Sequence, residues 1–359
     1  MDERTRPRVL VPAVVLFLFC LSLGSVTAKS LSSAAKAELR FLTWSEYMDP
    51  LLLDEFERRF NAKLTEVYFE SDDMRDDMLV ETDGKGYDVI LVSGIVLDAY
   101  RRRGWLAPLG DTEVPNLRHV AARWLDLFPE ARGYAVPFFW GTTGIGYRKD
   151  LVQGAIDSWM QLYRPAEALR GRIYMAKQGR DVVGMALKAL GHSANSSDDE
   201  DLDEAEELVL AQKPYVKAYS YPSLNANSGL VTGAIHAAMM FNGDVLVAQQ
   251  HQPAITYVVP REGGNLWVDY LVVTQSSERK QLAYQFIDFL NEPPIAARLA
   301  RFVHYASPNK GAEALLPPEF LGDPIIYPTP EVLKRCEVYT RLPPQATRRR
   351  NTIFARLLQ

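Results

Sequence analysis

The chain has 359 residues, of which 47% are hydrophobic and 24% are charged, and its formal net charge at pH 7 is −5. A chain of this length and composition can bury a large core and is expected to form two lobes, without the bias of a disordered protein. The negative net charge, with no run of basic residues mixed with aromatics, argues against nucleic acid as a partner.

The first 28 residues have the pattern of a secretory signal. Three arginines in MDERTRPR precede the apolar stretch VLVPAVVLFLFCLSLGSV, and VTA supplies small residues just before Lys29. These features predict a signal peptide over residues 1–28. An uncleaved membrane anchor is the alternative, because the apolar run is near the lower limit for spanning a bilayer. Cleavage after Ala28 predicts a periplasmic protein whose one remaining cysteine, Cys336, cannot form an internal disulfide.

Strand and helix patterns alternate from residue 38 onward. ELRFLT, KLTEVYF and YDVILVS are typical of strands, and DPLLLDEFERRF, DDMRDDMLVE and VLDAYRRRG are typical of helices. Asp49 is expected to cap the first helix, with Pro50 at its first position. The β-α-β-α-β order favours a mostly parallel sheet with helices on both faces.

The second half of the chain continues the alternation. GRIYMA precedes RDVVGMALKALG, AIHAAMMFNG precedes DVLVAQQ, and WVDYLVVT precedes ERKQLAYQFIDFLN. The acidic stretch SSDDEDLDEAEELVL matches no calcium loop and predicts a helix capped by Ser197. In the strand predicted over residues 266–273, Trp267 and Asp269 are two apart and therefore point to the same face.

Motifs of catalysis and of cofactor binding are missing from the sequence. The five histidines are scattered, and there is no nucleophile elbow, phosphate-binding glycine loop or cysteine cluster. GTTGIG, residues 141–146, faintly resembles a glycine loop, but it leads into YRKD and not into an amphipathic helix. We therefore expect no enzymatic activity, no cofactor and no metal site.

Aromatic residues next to small polar or acidic residues recur at the ends of predicted strands. In open α/β sheets, ligands bind beyond the carboxyl ends of the strands, where such groups gather. The residues at these junctions are Trp44, Ser45, Tyr47, Ser93, Gln178, Asp181, Phe241, Asp244 and Tyr305. Their recurrence at five junctions predicts a binding site there, although each aromatic residue taken singly is more typical of a core.

Several of these segments resemble the periplasmic polyamine-binding proteins, the spermidine/putrescine receptors of ABC importers. The segments are LRFLTWSEYMDPLLLDEFERRFNAKL, YDVILVS, VPFFWGTTGIGY, FNGD, EGGNLWVDYLVV and HYASPNKGA, in the family's order from about Leu39 to the C-terminus. The resemblance implies an α/β periplasmic-binding-protein fold of type II-like form, with ligand in the cleft between two lobes. It implies lobe 1 over residues 38–138 and 269–310, and lobe 2 over residues 139–268 and 311–359.

The resemblance also implies roles for individual residues. The family's counterparts of Trp267 and Asp269 contact the ligand, the acid holding an amine and the ring walling its alkyl chain. Burying an ammonium group without partners costs several kcal/mol, which explains why such a site combines negative charge with aromatic faces. The other counterparts that line the cleft match Trp44, Ser45, Tyr47, Ser93, Asp181 and Tyr305.

Four positions depart from the family pattern. The family commonly has aspartate where this chain has Gln178, and tryptophan where it has Phe241. It often has an aromatic residue at the position of Ile95, and one of its glutamines aligns loosely with Tyr339. Asp244 is a candidate to restore the charge that Gln178 lacks. These departures bear on the identity and affinity of the ligand more than on its class.

The resemblance implies a monomer that carries polyamines to an inner-membrane ABC permease. A polyamine sensor that docks on a membrane signalling protein of the cyclic-dinucleotide type is the alternative. A secreted hydrolase using Asp181 and Asp269 as a carboxylate pair is a remote third possibility, since no second catalytic motif supports it. Iron or oxyanion binding lacks the expected tyrosine pair or basic cluster.

Overall fold

The structure, a computed structural model, describes residues 36–359, so the predicted signal peptide lies outside the described residues. The strands are β1 (Ala37–Trp44), β2 (Ala62–Phe69), β3 (Val89–Ser93), β4 (Ala135–Arg148), β5 (Ile173–Met175), β6 (Val216–Tyr219), β7 (Ala237–Phe241), β8 (Ile255–Val258) and β9 (Leu266–Val273).

Helices pack around these strands. They are α1 (Pro50–Phe60), α2 (Asp72–Glu81), α3 (Leu97–Arg102), α4 (Ala122–Leu125), α5 (Met160–Tyr163), α6 (Gly179–Leu190), α7 (Asp199–Gln212), α8 (Gly229–Thr232), α9 (Asn242–His251), α10 (Lys280–Leu290), α11 (Pro293–Val303), α12 (Lys310–Glu313), α13 (Pro318–Leu321), α14 (Pro330–Leu333) and α15 (Pro344–Leu358). Within residues 36–359, none of them has the length and apolarity needed to cross a bilayer.

The predicted order of the first five elements is confirmed. β1 pairs in parallel with β2 and β3, and Asp49 caps α1 by accepting a hydrogen bond from the Leu51 amide at 2.9 Å. The cap predicted for the acidic helix is wrong by one residue. Asp198, not Ser197, accepts from the amides of Glu200 and Asp201 at the start of α7, because it stands immediately before the first turn.

The sheet is less parallel than the alternating pattern predicts. Its order is β2-β1-β3-β9-β4-β7-β5-β6, with β8 paired to β4, and β4 and β9 run antiparallel to every strand they pair with. Both strands carry the chain from one of the two hydrophobic cores to the other, and so they run against their neighbours. β4 pairs with β9 over residues 135–142 and with β7 and β8 over residues 143–148. GTTGIG lies within this buried crossing strand.

Two large hydrophobic cores define two lobes. The first draws on residues 39–140 and 268–326, and the second on residues 145–209, on β7 and on residues 339–357. Ala312, Leu316 and Ile326, which follow the predicted boundary at residue 310, pack in the first core. The exact division of the chain between the lobes remains a prediction.

Candidate ligand-binding site

The site is built on β9, which runs through the junction between the two lobes. Val268 and Tyr270 are buried in the first core, while Trp267 and Asp269 are partly exposed on the opposite face. This alternation is the period of two that the sequence predicts. Gly141 on the neighbouring strand makes room for the indole, because a methyl group there would lie 2.4 Å from Cζ2 of Trp267.

Asp269 lies beside two hydroxyl groups, and within residues 36–359 it forms no ion pair. The Tyr47 hydroxyl donates to Oδ2 at 2.7 Å, and Ser93 stands opposite Asp269 in the β3–β9 ladder. The buried Ser93 hydroxyl has no hydrogen-bond partner among residues 36–359. Burial raises the pKa of Asp269 to about 7, although the Tyr47 hydrogen bond acts in the opposite direction. Burial therefore outweighs both this hydrogen bond and the attraction of the Arg75 guanidinium.

Asp244 forms a second carboxylate site at the third position of α9. Tyr305 donates to Oδ1 at 2.6 Å, and Tyr221 donates to Oδ2. Burial raises the pKa of Asp244, and the two hydroxyl donors lower it in part. Gly243 allows this approach, since a methyl group there would lie 2.5 Å from Cε1 of Tyr305.

Aromatic rings join the two carboxylates in one continuous row. Trp267 meets Tyr305 edge to face with ring centroids 4.8 Å apart, and Tyr305 lies 5.9 Å from Tyr47. On the other side, Trp267 meets Phe241 at 5.8 Å, and Phe241 stacks on Tyr221 at 5.4 Å. The row therefore begins at Tyr47, which binds Asp269, and ends at Tyr221, which binds Asp244 together with Tyr305.

Tyr221 is not among the residues that the sequence predicts for the site. It lies two residues after β6, with Ser220 before it and Pro222 after it. The signal that could have found it is the one used elsewhere, an aromatic residue beside a small polar residue at a strand end. β6 is short, and its polar sequence VKAY gives too weak a strand pattern for that rule to be applied.

Asp181 and Gln178 lie at the start of α6, as predicted. Asp181 is only 4% exposed, and burial raises the pKa of its carboxyl, which the neighbouring Arg180 guanidinium partly offsets. Tyr339 lies beside these residues, with the Arg180 guanidinium 5.3 Å from the centre of its ring. Gln178 is partly buried and is the residue before the first turn of α6, but its side chain does not cap the helix.

Ion pairs connect the two lobes beside the site. Arg180 donates to Asp72 of α2 at 2.7 Å, and Arg75 donates to the same carboxylate at 2.5 Å. Burial opposes ionisation of Asp72, but the two guanidinium groups together lower its pKa. Arg341 makes a second connection, to Asp98 at 2.6 Å. None of these contacts was predicted from the sequence.

Trp44 and Ser45 lie at the end of β1, Ile95 lies just after β3, and Glu262 lies in the loop before β9. Trp44 packs on Phe69 with ring centroids 4.3 Å apart, and Ser45 is exposed just beyond β1. Ile95, which stands where the family often has an aromatic residue, is partly buried and packs against the second core. Glu262 of the EGG motif accepts hydrogen bonds from Ser158 and the Trp159 amide, so it anchors the loop before β9.

Comparisons with known proteins agree with the fold and with the resemblance. Residues 52–328 match the family model of the bacterial extracellular solute-binding proteins. The spermidine/putrescine-binding periplasmic protein of Escherichia coli is 30% identical over 311 residues, which cover 85% of this chain and 88% of that protein. The putrescine/cadaverine-binding protein of Pseudomonas aeruginosa is 28% identical over 351 residues, 94% of this chain and 98% of that one.

Solved structures confirm the architecture. A putative spermidine/putrescine ABC transporter protein from Listeria monocytogenes superposes with a TM-score of 0.80 at 28% identity, covering 90% of this chain and 99% of its own. A spermidine/putrescine substrate-binding protein from Streptococcus pneumoniae gives a TM-score of 0.77 at 26% identity, with the same coverage. The predicted two-lobed periplasmic-binding-protein fold is therefore confirmed.

Proposed function

The chain belongs to the bacterial extracellular solute-binding protein family, and from this premise we propose that it binds a polyamine between its lobes and delivers it to an inner-membrane ABC permease. The observation that carries the proposal is that two carboxylates, Asp269 and Asp244, accept tyrosine hydroxyl groups from the same row of aromatic rings. Relatives that cover most of the chain are named as spermidine/putrescine-binding and putrescine/cadaverine-binding proteins.

The chemistry of a polyamine complements this arrangement. Each ammonium group needs an acceptor and a counter-ion when it leaves water, which a carboxylate supplies. Contacts between an ammonium group and the aromatic rings contribute roughly 0.5–2 kcal/mol each, and the methylene chain packs on the remaining ring surface. Tyr47 and Tyr305 hold the carboxylates in place, so the ligand meets acceptors that are already oriented.

The proposed ligand-binding set is the one that the sequence predicts. It consists of Trp44, Ser45, Tyr47, Ser93, Gln178, Asp181, Phe241, Asp244, Trp267, Asp269 and Tyr305. We propose that the protein acts as a monomer in the periplasm, where the Escherichia coli relative is named as residing, and that residues 1–28 are its export signal. We further propose that it has no catalytic activity, since its family is one of binding proteins.

Isothermal titration calorimetry tests the ligand class. Purified protein is expected to bind putrescine, spermidine or a close relative, with heat that disappears when Asp269 is replaced by alanine. Asp126→Ala is a suitable control, because Asp126 is exposed and, among residues 36–359, forms an ion pair only with Arg132 on the surface. Heat with a sugar or an amino acid, and none with any di-, tri- or tetra-amine, would overturn the proposal.

Uptake of labelled polyamine separates delivery from sensing. A carrier must release its cargo to the permease, so deletion of the gene is expected to abolish uptake, and the wild-type gene is expected to restore it. A sensor docked on a membrane signalling protein need not carry cargo. Normal uptake in the deletion strain, with a changed polyamine-dependent behaviour such as surface attachment, would assign the protein to sensing.

A further inference from the structure

The turn between β3 and α3 carries one side chain that packs outside its own lobe. Val96 and Leu97 pack in the first core, where Leu97 is completely buried. Gly94 fixes the start of the turn against the same core, because a methyl group there would overlap the Phe128 ring. Ile95, the residue between them, is partly buried against the second core instead. The backbone of the turn is thus attached to the first lobe, while the Ile95 side chain packs on the second.

An ion pair joins the same segment to the second lobe. Arg341 lies between Tyr339 and Leu342, which both pack in the second core, and it donates to Asp98 in the first turn of α3 at 2.6 Å. Asp98 also accepts from Arg102 at 3.0 Å, but that arginine lies one turn further along the same helix. The pair with Arg341 therefore connects the two lobes, whereas the pair with Arg102 stays within the first.

We infer that Ile95 and the Asp98–Arg341 ion pair form a latch that holds the two lobes together around the ligand and sets how long the ligand stays bound. The turn begins at Ser93, which stands opposite Asp269, so the latch and the proposed site share one short segment. Separating the lobes would expose Ile95 to water, which costs free energy. The ion pair contributes less, because the Arg341 side chain is 61% exposed. The inference rests on the proposed function, since it concerns the release of that ligand.

Stopped-flow fluorescence of the tryptophans in the site measures association and dissociation separately, with putrescine, or with spermidine if calorimetry shows that it binds more tightly. The ligand enters between separated lobes and leaves after they open, so a latch acts on koff and not on kon. Ile95→Ser is expected to raise koff about 20-fold and to leave kon within about twofold of the wild type. Arg341→Gln is expected to raise koff about threefold.

Each variant has a matched control in the same segment. Val96→Ala shortens the neighbouring apolar side chain, which packs in the first core, so it should lower Tm without raising koff. Arg102→Gln breaks an ion pair with the same carboxylate, but within one lobe, so it should leave koff unchanged. A residue that only supports the fold of the turn would not change koff while sparing kon.

The outcomes separate this inference from the proposed function. A wild-type koff in folded Ile95→Ser, or the same koff in Arg341→Gln and Arg102→Gln, would overturn the latch and leave polyamine binding intact. If Ile95→Ser does not fold, Ile95→Val removes one methylene group and should raise koff about threefold, and a wild-type value there would overturn the latch as well. A wild-type protein that gives no heat with any amine would instead contradict the proposed function, on which the latch depends.

Discussion

Replacing Asp269 by asparagine should weaken ligand binding and at the same time stabilise the ligand-free protein. The amide keeps the shape of the side chain and an oxygen that accepts the Tyr47 hydrogen bond, but it carries no charge. A buried ammonium would lose its counter-ion, at a cost of about 2–5 kcal/mol, or roughly 30- to 4,000-fold in affinity.

The stabilisation follows from the pKa of Asp269. A rise from the ordinary value of 3.8 to about 7 corresponds to about 4 kcal/mol against the ionised form in the ligand-free fold. Because the folded-state pKa is the higher one, this group's contribution to stability is fully present below about pH 4 and is lost as the pH rises through 7. Asp269→Asn has no carboxylate to ionise and does not lose this stability. We therefore expect its free energy of unfolding at pH 8 to exceed that of the wild type by about 2–4 kcal/mol, which raises Tm by about 3–6 °C.

Thermal unfolding followed by circular dichroism at pH 8 and pH 5 measures the effect, together with calorimetric titration of putrescine at pH 8. The gain in Tm should shrink at pH 5, where the wild-type carboxyl is already protonated. Asp126→Asn, on the surface, should change neither quantity. A folded Asp269→Asn variant that melts below the wild type at pH 8, or binds putrescine equally well, would refute the reasoning.

Three further predictions concern the same cleft. Putrescine affinity should fall about 100-fold from pH 8 to pH 5, because only ionised Asp269 binds an ammonium; a flat calorimetric pH profile would contradict this. Gly243→Ala should push Tyr305 away and weaken binding about tenfold or more, and calorimetry that gives the wild-type affinity would contradict it. Asp72→Asn should weaken the ion pair with Arg180, so that X-ray scattering shows less compaction on adding putrescine; wild-type compaction would show that this pair does not favour closure.

Local patterns predicted the elements that carry the site. The alternation along β9 placed Trp267 and Asp269 on one face, and the glycine and acidic residues at the starts of α6 and α9 marked the helix junctions where Asp181 and Asp244 lie. These features depend on residues a few positions apart, which is why sequence periodicity reveals them.

The contacts between distant segments could not be predicted in this way. Tyr47 and Asp269 are 222 residues apart, and Arg180 and Asp72 are 108 apart, so no local pattern pairs them. The same holds for Arg350, which lies in a run of three arginines typical of solvated surface. It is buried, and it donates to the carbonyl groups of Ala194 and Ser196.

The position of β9 has a consequence for how the chain folds. β9 lies between β3 and β4 in the first lobe's sheet, although the 117 residues from 149 to 265, which form most of the second lobe, separate it from β4 in sequence. The second core in turn requires α15, at the end of the chain. Neither lobe can complete its core from the first half of the protein, and contacts of such long sequence separation form slowly. A chain released after residue 265 should therefore stay unfolded, because it would lack both β9 and α15.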